Sequence, residues 1–263
     1  MHIKSIHKFI RSALKVNWAR SIYFNLKYLP FKQAKYLPIL LYHPASIKGK
    51  GIVVLNVNKE NIKMGMIKLG LKHEECVLSR IGVSICNEGK IEFNGSGLLG
   101  NGSSIVVKKD ARLCMGENFG ITGNLNLHCN NKINIGKFFS CSWDVSIDDS
   151  DHHRLFDAVT MKVKPVSKPI EIADYVWLCQ RSIVLKGSSI PSWCTIAANS
   201  LVNTILPPPP PLLGQTEDML NLSGTRHGGV YAGKPAKLTK SRVIREDLYV
   251  LSQKESYYIT QLL

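Results

Sequence analysis

No apolar run in the 263 residues approaches the roughly 18 needed to cross a bilayer, and the segment "LPILLYHPA" is both short and interrupted by proline. The N-terminal "MHIKSIHKFIRSALKVNWAR" is basic but lacks an uninterrupted apolar stretch and a small-residue cleavage site, so no signal peptide is expected. Cysteines are few, odd in number and free of any CxxC pair: Cys76, Cys86, Cys114, Cys129, Cys141, Cys179 and Cys194. That pattern argues against a disulfide framework or a zinc knuckle and for reduced thiols in the cytoplasm. Acidic residues are also scarce, 19 against 34 Lys and Arg, for a formal net charge of +15. Such an excess points to a polyanionic partner: nucleic acid, an acidic membrane surface, an acidic polysaccharide or a phosphorylated cofactor. Nucleic acid is disfavoured, because the charge is spread along the chain and no recognition motif appears.

What is present is a rhythm. Hydrophobic residues make up 44% of the chain, enough for a globular core. From Ile172 onward every sixth residue is aliphatic: Ile172, Leu178, Val184, Ile190, Ile196 and Val202. Upstream the period recurs at Ile135, Cys141 and Ile147, and at Phe93, Leu99, Ile105 and Ala111. Met115, Ile121, Leu127 and Ile133 hold it in a shifted phase, as expected where an occasional turn has extra residues. A period of six fits neither a helix nor an open alternating sheet. It fits an all-β solenoid in which each hexapeptide supplies a short strand and a turn, three units closing one triangular coil.

The rhythm, "IADYVWLCQRSIVLKG" and the closing "VYAGKPAKLTK" resemble the left-handed parallel β-helix (hexapeptide-repeat) acyltransferases, nearest to the O-acetyltransferases of capsule and lipopolysaccharide assembly. The front segment "YFNLKYLPFKQAKYLPILLY" followed by "GMIKLG" is similar to that subfamily too, so the resemblance covers nearly the whole chain. Left-handed coiling is implied by the resemblance and runs against the usual right-handed crossover preference. The expected organisation is a basic helical segment over 1–48, a β-helix over 49–206 with an excursion loop over 148–171, a Pro-rich insertion over 207–229, and a closing motif with a C-terminal helix over 230–263.

The loop follows from the register. Ile147 and Ile172 are 25 residues apart, which is not a multiple of six, so "SDHHRLFDAVTMKVKPVSKP" must leave the coil. Long loops on a rigid solenoid are commonly functional. The resemblance implies a "D-x-H" signature here, filled by Asp151, His152 and His153, with His153 as the matching histidine. Trp177 stands 24 residues further on, where the family has its tryptophan. A sugar hydroxyl is a poor nucleophile at neutral pH and must lose its proton as it attacks the thioester of acetyl-CoA; a largely neutral imidazole can take it. Asp151 or Asp157 is expected to orient the ring, Asp149 less so. A backbone N–H at a coil turn is expected to receive the oxyanion. Zinc is disfavoured: adjacent His152 and His153 point to opposite faces of an extended strand, and His128, a candidate third ligand, has the wrong spacing. "DDSD" also lacks the ligand spacing and glycine of a calcium loop.

By motif position the resemblance implies acetyl-CoA contacts at Trp177, Gln180, Ala198, Asn203, Thr204, Lys237 and Lys240, the two lysines facing the nucleotide phosphates. The chain departs from the pattern at Ala173, Cys179 and Pro191, where turn glycines are usual, and at Asn203 and Thr204, where many relatives have Thr-Lys. The run from Pro207 to Pro211 favours an extended segment without donors for a sheet. At the N-terminus Ile3, Ile6, Ile10, Leu14 and Trp18 share a helical face, suited either to an anionic membrane surface or to packing as a cap on the solenoid.

These readings together predict a cytoplasmic homotrimer, peripheral on the inner face of the plasma membrane, that transfers acetyl directly from acetyl-CoA to a hydroxyl of an acidic surface glycan or its precursor, without a metal. Acetylation of an amino group on a nucleotide sugar is the alternative within enzymes, and a non-catalytic binding scaffold the alternative outside them.

Overall fold

The computed structural model describes residues 13–42, 44–72, 82–210 and 228–243. It begins with helix α1 (Trp18–Tyr28) and a single helical turn α2 (Phe31–Ala34). Strands β1 (Ile39–Leu41), β2 (Ala45–Lys48) and β3 (Ile52–Leu55) then make the first coil, and β4 (Ile67–Leu71), β5 (Val83–Asn87) and β6 (Lys90–Phe93) the second. The next two coils are β7 (Gly97–Gly100), β8 (Ser103–Val107), β9 (Arg112–Met115), then β10 (Phe119–Gly123), β11 (Asn126–Cys129), β12 (Lys132–Ile135). They continue as β13 (Ser140–Trp143), β14 (Ser146–Asp148), β15 (Ile170–Ile172), and β16 (Trp177–Leu178), β17 (Ile183–Leu185), β18 (Ser189–Ile190). A last coil opens with β19 (Thr195–Ile196) and β20 (Leu201–Val202), and the hairpin β21 (Gly228–Gly233) and β22 (Ala236–Val243) follows.

From β1 to β20 every third strand pairs in parallel, giving with the closing hairpin three faces of nine, seven and six strands; among the described strands the β21–β22 pair alone is antiparallel. All six aliphatic slots from Ile172 to Val202 are buried within the coil. They stack one coil above another at intervals of 18: Ile172 on Ile190, Leu178 on Ile196, Val184 on Val202. The coil before them repeats at 20, Ile121 on Cys141 and Leu127 on Ile147, and the one before that at 22, Leu99 on Ile121 and Ile105 on Leu127. Those additional residues per coil are the phase shift visible in the sequence.

The corners are tight. Phe138, Asp144, Tyr175, Arg181, Trp193 and Asn199 take φ between 53° and 66°, six residues apart in pairs, at corners where glycine would be the default. At one corner the side chains repay this conformation by stacking: Phe138 on Tyr175 at 5.0 Å and Tyr175 on Trp193 at 4.0 Å between ring centroids.

The solenoid starts at Ile39, ten residues before the expected Gly49, because prolines on either side of "ILL" hide a strand too short to show a period. Its open end is closed by α1 in an unusual way. Asn25 donates to the carbonyl of Ile39 at 2.6 Å and accepts from its N–H at 3.2 Å; Ser21 Oγ accepts from Leu41 N–H at 2.9 Å. Two fully buried polar side chains thus serve an edge that a further strand would otherwise fill. At the other end Ser241, Arg242 and Val243 extend β22 where a helix is expected after Lys240. Residues 1–12, 211–227 and 244–263, which hold Ile3, Ile6, Ile10, most of the Pro-rich insertion and the rest of the expected C-terminal helix, lie outside the described residues.

Candidate active site

The coil leaves the wall after Asp148 and returns at Ile170, so the excursion predicted from the broken register is present. Its root is the buried Asp149, whose carboxylate accepts from the backbone N–H groups of Asn130 and Asn131 at 2.6 and 2.8 Å. Its tip is a turn held by Asp157, which accepts from the N–H groups of Val159 and Thr160 and from the Thr160 hydroxyl. Those bonds hold the Asp157 carboxyl below its usual range. The tip is apolar and open, with Phe156, Val159 and Met161 all exposed.

Between root and tip, the histidine that engages a carboxylate is His152. Its Nε2 lies 2.8 Å from Oδ2 of Asp148, and Nδ1 of His128 lies 3.6 Å from the same oxygen. The two rings meet edge to face at 5.5 Å. His128 and Asp148 are register partners on β11 and β14, 20 residues apart, and His152 folds back over them with φ 60°. His153 is exposed, with no side-chain hydrogen bond among the described residues. Asp151 forms an ion pair with Lys186, whose ammonium also donates to the Pro165 carbonyl at 2.6 Å. The carboxylates expected to orient the base therefore have other tasks: Asp149 roots the loop, Asp157 closes its tip and Asp151 binds Lys186. Asp148 takes the histidine. Sequence reasoning weighed His128 only as a zinc ligand and missed its pairing with Asp148, although the 20-residue coil length would have stacked them.

His128, Asp148 and His152 also form the one cluster among the described residues whose donor atoms, all within 4.8 Å of one another, could hold a metal ion. In the folded chain the Nε2 of His152 is already committed to the carboxylate.

Trp177 stands on the nine-stranded face, at a different corner from the loop, and donates from its ring N–H to Ser142 Oγ at 3.2 Å. Across that face its register partners run Trp177, Thr195, Val230, Lys240 through β16, β19, β21 and β22. All four side chains point outward, since their neighbours Leu178, Ile196 and Tyr231 fill the core. Three inter-strand spacings put Lys240 about 14 Å from Trp177. Lys237 lies on the same hairpin, exposed like Lys240. Gln180 and Ala198 stack 18 residues apart at the next corner, where the Gln180 carbonyl accepts from Asn199 N–H at 2.9 Å. Asn203 and Thr204 follow β20 and lie beyond the seven-stranded face, away from the lysine hairpin.

Three thiols buried in the coil offer little nucleophilic chemistry. Burial pushes Cys129 up to about 12 and Cys194 up to about 11, and raises Cys141 as well.

No protein-family model matches the chain, and no curated sequence does. Among solved structures the polySia specific acetyltransferase NeuO superposes with a TM-score of 0.52 at 21% identity, over 83% of this chain and 92% of that one. The polysialic acid O-acetyltransferase OatWY gives 0.41 at 18% identity, over 84% and 95%. A hexapeptide-repeat containing acetyltransferase from Vibrio cholerae O1 biovar eltor, complexed with acetyl coenzyme A, gives 0.37 at 21%, over 50% and 61%. In fold the chain is a left-handed parallel β-helix of the hexapeptide-repeat kind.

Proposed function

We propose that the chain is an acetyl-CoA-dependent O-acetyltransferase acting on a sugar hydroxyl of an acidic surface polysaccharide or its precursor. The observation that carries this reading is the outward row from Trp177 to Lys240, a tryptophan and a lysine on strands whose backbones lie about 14 Å apart on one face. That geometry suits an extended pantetheine arm with its thioester near the tryptophan and its phosphates near Lys237 and Lys240. The net charge of +15 suits an acidic acceptor, and NeuO, with which the fold is shared, is specific for polySia.

In the proposed reaction a loop histidine accepts the proton of the sugar hydroxyl as its oxygen bonds to the thioester carbon. The carbon–sulfur bond then breaks, and CoA leaves with a proton returned by the imidazolium. Transfer is direct, with no cysteine placed by motif as an acyl carrier. His153 is the base by motif and exposed, while the His152–Asp148 contact fixes the backbone that presents it. A second assignment is favoured by that same contact: His152 has the carboxylate that a catalytic imidazole uses to fix its tautomer.

The loop and Trp177 belong to different corners of one chain, and assembly as a homotrimer would set the loop of one copy beside the tryptophan face of the next. Peripheral residence at the inner face of the plasma membrane completes the proposal. Its test is transfer of radiolabelled acetyl from acetyl-CoA to polysialic or uronic-acid glycans by the purified chain. Label that is stable to mild alkali would favour N-acetylation of an amino sugar. Absence of CoA binding would leave a scaffold and overturn the enzyme.

A further inference from the structure

Helix α1 closes the coil end with polar side chains and turns apolar ones outward. Its protein-facing side holds Ser21 and Asn25, both fully buried and bonded to the edge of β1, with Phe24 between them. The side turned away carries Trp18, Ile22 and Leu26 at successive intervals of four, and Leu14, ahead of the helix, is exposed as well. Their exposures are 39%, 43%, 55% and 76%. Tyr23 and, just past the helix, Phe31 widen the patch at 48% and 73%. A helix held in place by polar bonds has no folding reason to present such a stripe to water.

Charge identifies what covers it. Residues 1–59 contain 11 Lys and Arg and not one Asp or Glu; the first acidic residue is Glu60. Lys15, Arg20, Lys32 and Lys35 belong to the same segment, all exposed, while the Lys27 ammonium donates to the Gly49 carbonyl at 3.0 Å. A second copy of this face would bring the same uncompensated positive charge against itself, which disfavours pairing between copies. An interface rich in phosphate meets both requirements at once, apolar depth for the stripe and anions for its rim. The helix lies on that interface and does not cross it, since 11 residues rise only about 16 Å.

We infer that the outer face of α1 docks on an anionic phospholipid bilayer, with Trp18, Ile22 and Leu26 entering the headgroup boundary and Lys15, Arg20, Lys32 and Lys35 on the phosphates. The inference deepens the peripheral placement proposed above and depends on no step of acetyl transfer. It would hold the coil end, and with it the glycan-facing loop, near lipid-linked acceptors.

The test is co-sedimentation of the full chain with vesicles of phosphatidylcholine alone and of phosphatidylcholine mixed with phosphatidylglycerol. The chain is expected to sediment with the anionic vesicles at least tenfold more strongly, and salt is expected to release it. Trp18→Ser, Ile22→Ser and Leu26→Ser combined should abolish sedimentation while melting temperature, native mass and CoA binding in vesicle-free solution stay unchanged. A triple variant that still sediments, or a wild-type chain that ignores anionic vesicles, overturns the inference. So does a fall in native mass, which would make the face a contact between copies. Vesicle binding without CoA binding would sustain the docking face and overturn the enzyme reading alone.

Discussion

The Nε2 of His152 and the Oδ2 of Asp148 lie 2.8 Å apart across the point where the chain leaves its coil, so one contact ties the excursion loop to the wall it came from. Asp148 also has His128 on the coil beneath at 3.6 Å, and the three side chains make a polar cluster at the loop root. His153, one residue on, is exposed and stands outside that cluster. A motif match and an oriented ring thus fall on adjacent residues, and kinetics separate them.

With His153 as base, His153→Ala should lower kcat by roughly 10²–10⁴-fold with the KM for acetyl-CoA little changed. His152→Ala and Asp148→Asn should both act by positioning, with losses matching each other and smaller than that of His153→Ala. Steady-state rates of the three variants check this. If His152→Ala takes the large loss and His153→Ala keeps its activity, the base is His152.

The same cluster predicts how divalent metals act. Transfer should survive dialysis against a chelator, because the proposed reaction runs on an imidazole alone. Added zinc should inhibit by drawing His152 off Asp148 and joining it to His128, whose donor atoms already lie within 4.8 Å. His128→Ala should relieve that inhibition while leaving the metal-free rate close to wild type. Activity lost to the chelator and restored by zinc would make the cluster a metal centre.

The coil was legible because burial imposes it. An inward residue at every corner-to-corner segment must be apolar, so Ile172 to Val202 announce their own spacing, and the break between Ile147 and Ile172 announces the loop. The partners of the loop were not legible by local reading. Asp151, Asp149 and Asp157 are nearer in sequence to the histidines than His128 is, yet their bonds go to Lys186, the Asn130–Asn131 backbone and the Thr160 turn. Contacts between coils depend on the length of a whole turn, and a two-residue change in that length moves every neighbour. The start of the solenoid was hidden for a related reason: β1 gets part of its pairing from Asn25 and Ser21, side chains that carry no strand signature.

Glu92 supplies a pH dependence with a definite sign. Burial opposes its charge, but Lys90 at 2.8 Å and Arg112 prevail and hold its carboxyl below the usual value. A folded-state pKa below the unfolded one means stability that is present above the unfolded pKa and lost as pH falls through the folded one. The melting temperature should therefore fall as the medium is acidified below about pH 4.5, near the ordinary glutamate value. Glu92→Gln should melt lower at neutral pH and show a shallower acid slope. Equal slopes for the two proteins between pH 6 and pH 3 would remove Glu92 from that role.

Tyr175 tests the corner that no local rule anticipates. With φ at 60° a residue bearing a Cβ sits roughly 1–2 kcal/mol above its ordinary conformation, and each stacked pair of rings returns about 0.5–1.5 kcal/mol. Tyr175 lies between two such pairs, nearly coplanar with Phe138 at 4° and with Trp193 at 14°. Tyr175→Ala keeps the backbone cost and removes both stacks; Tyr175→Gly removes the stacks and the cost together. Both variants should melt below wild type, with alanine the lower of the two, by about 1 kcal/mol in unfolding free energy. The order is the informative part, because ordinary helix or strand geometry would make glycine the worse substitution. An alanine variant as stable as the glycine one would mean that the corner does not hold a left-handed turn, and the stacked column would then need another account of why three aromatic residues stand where glycine is expected.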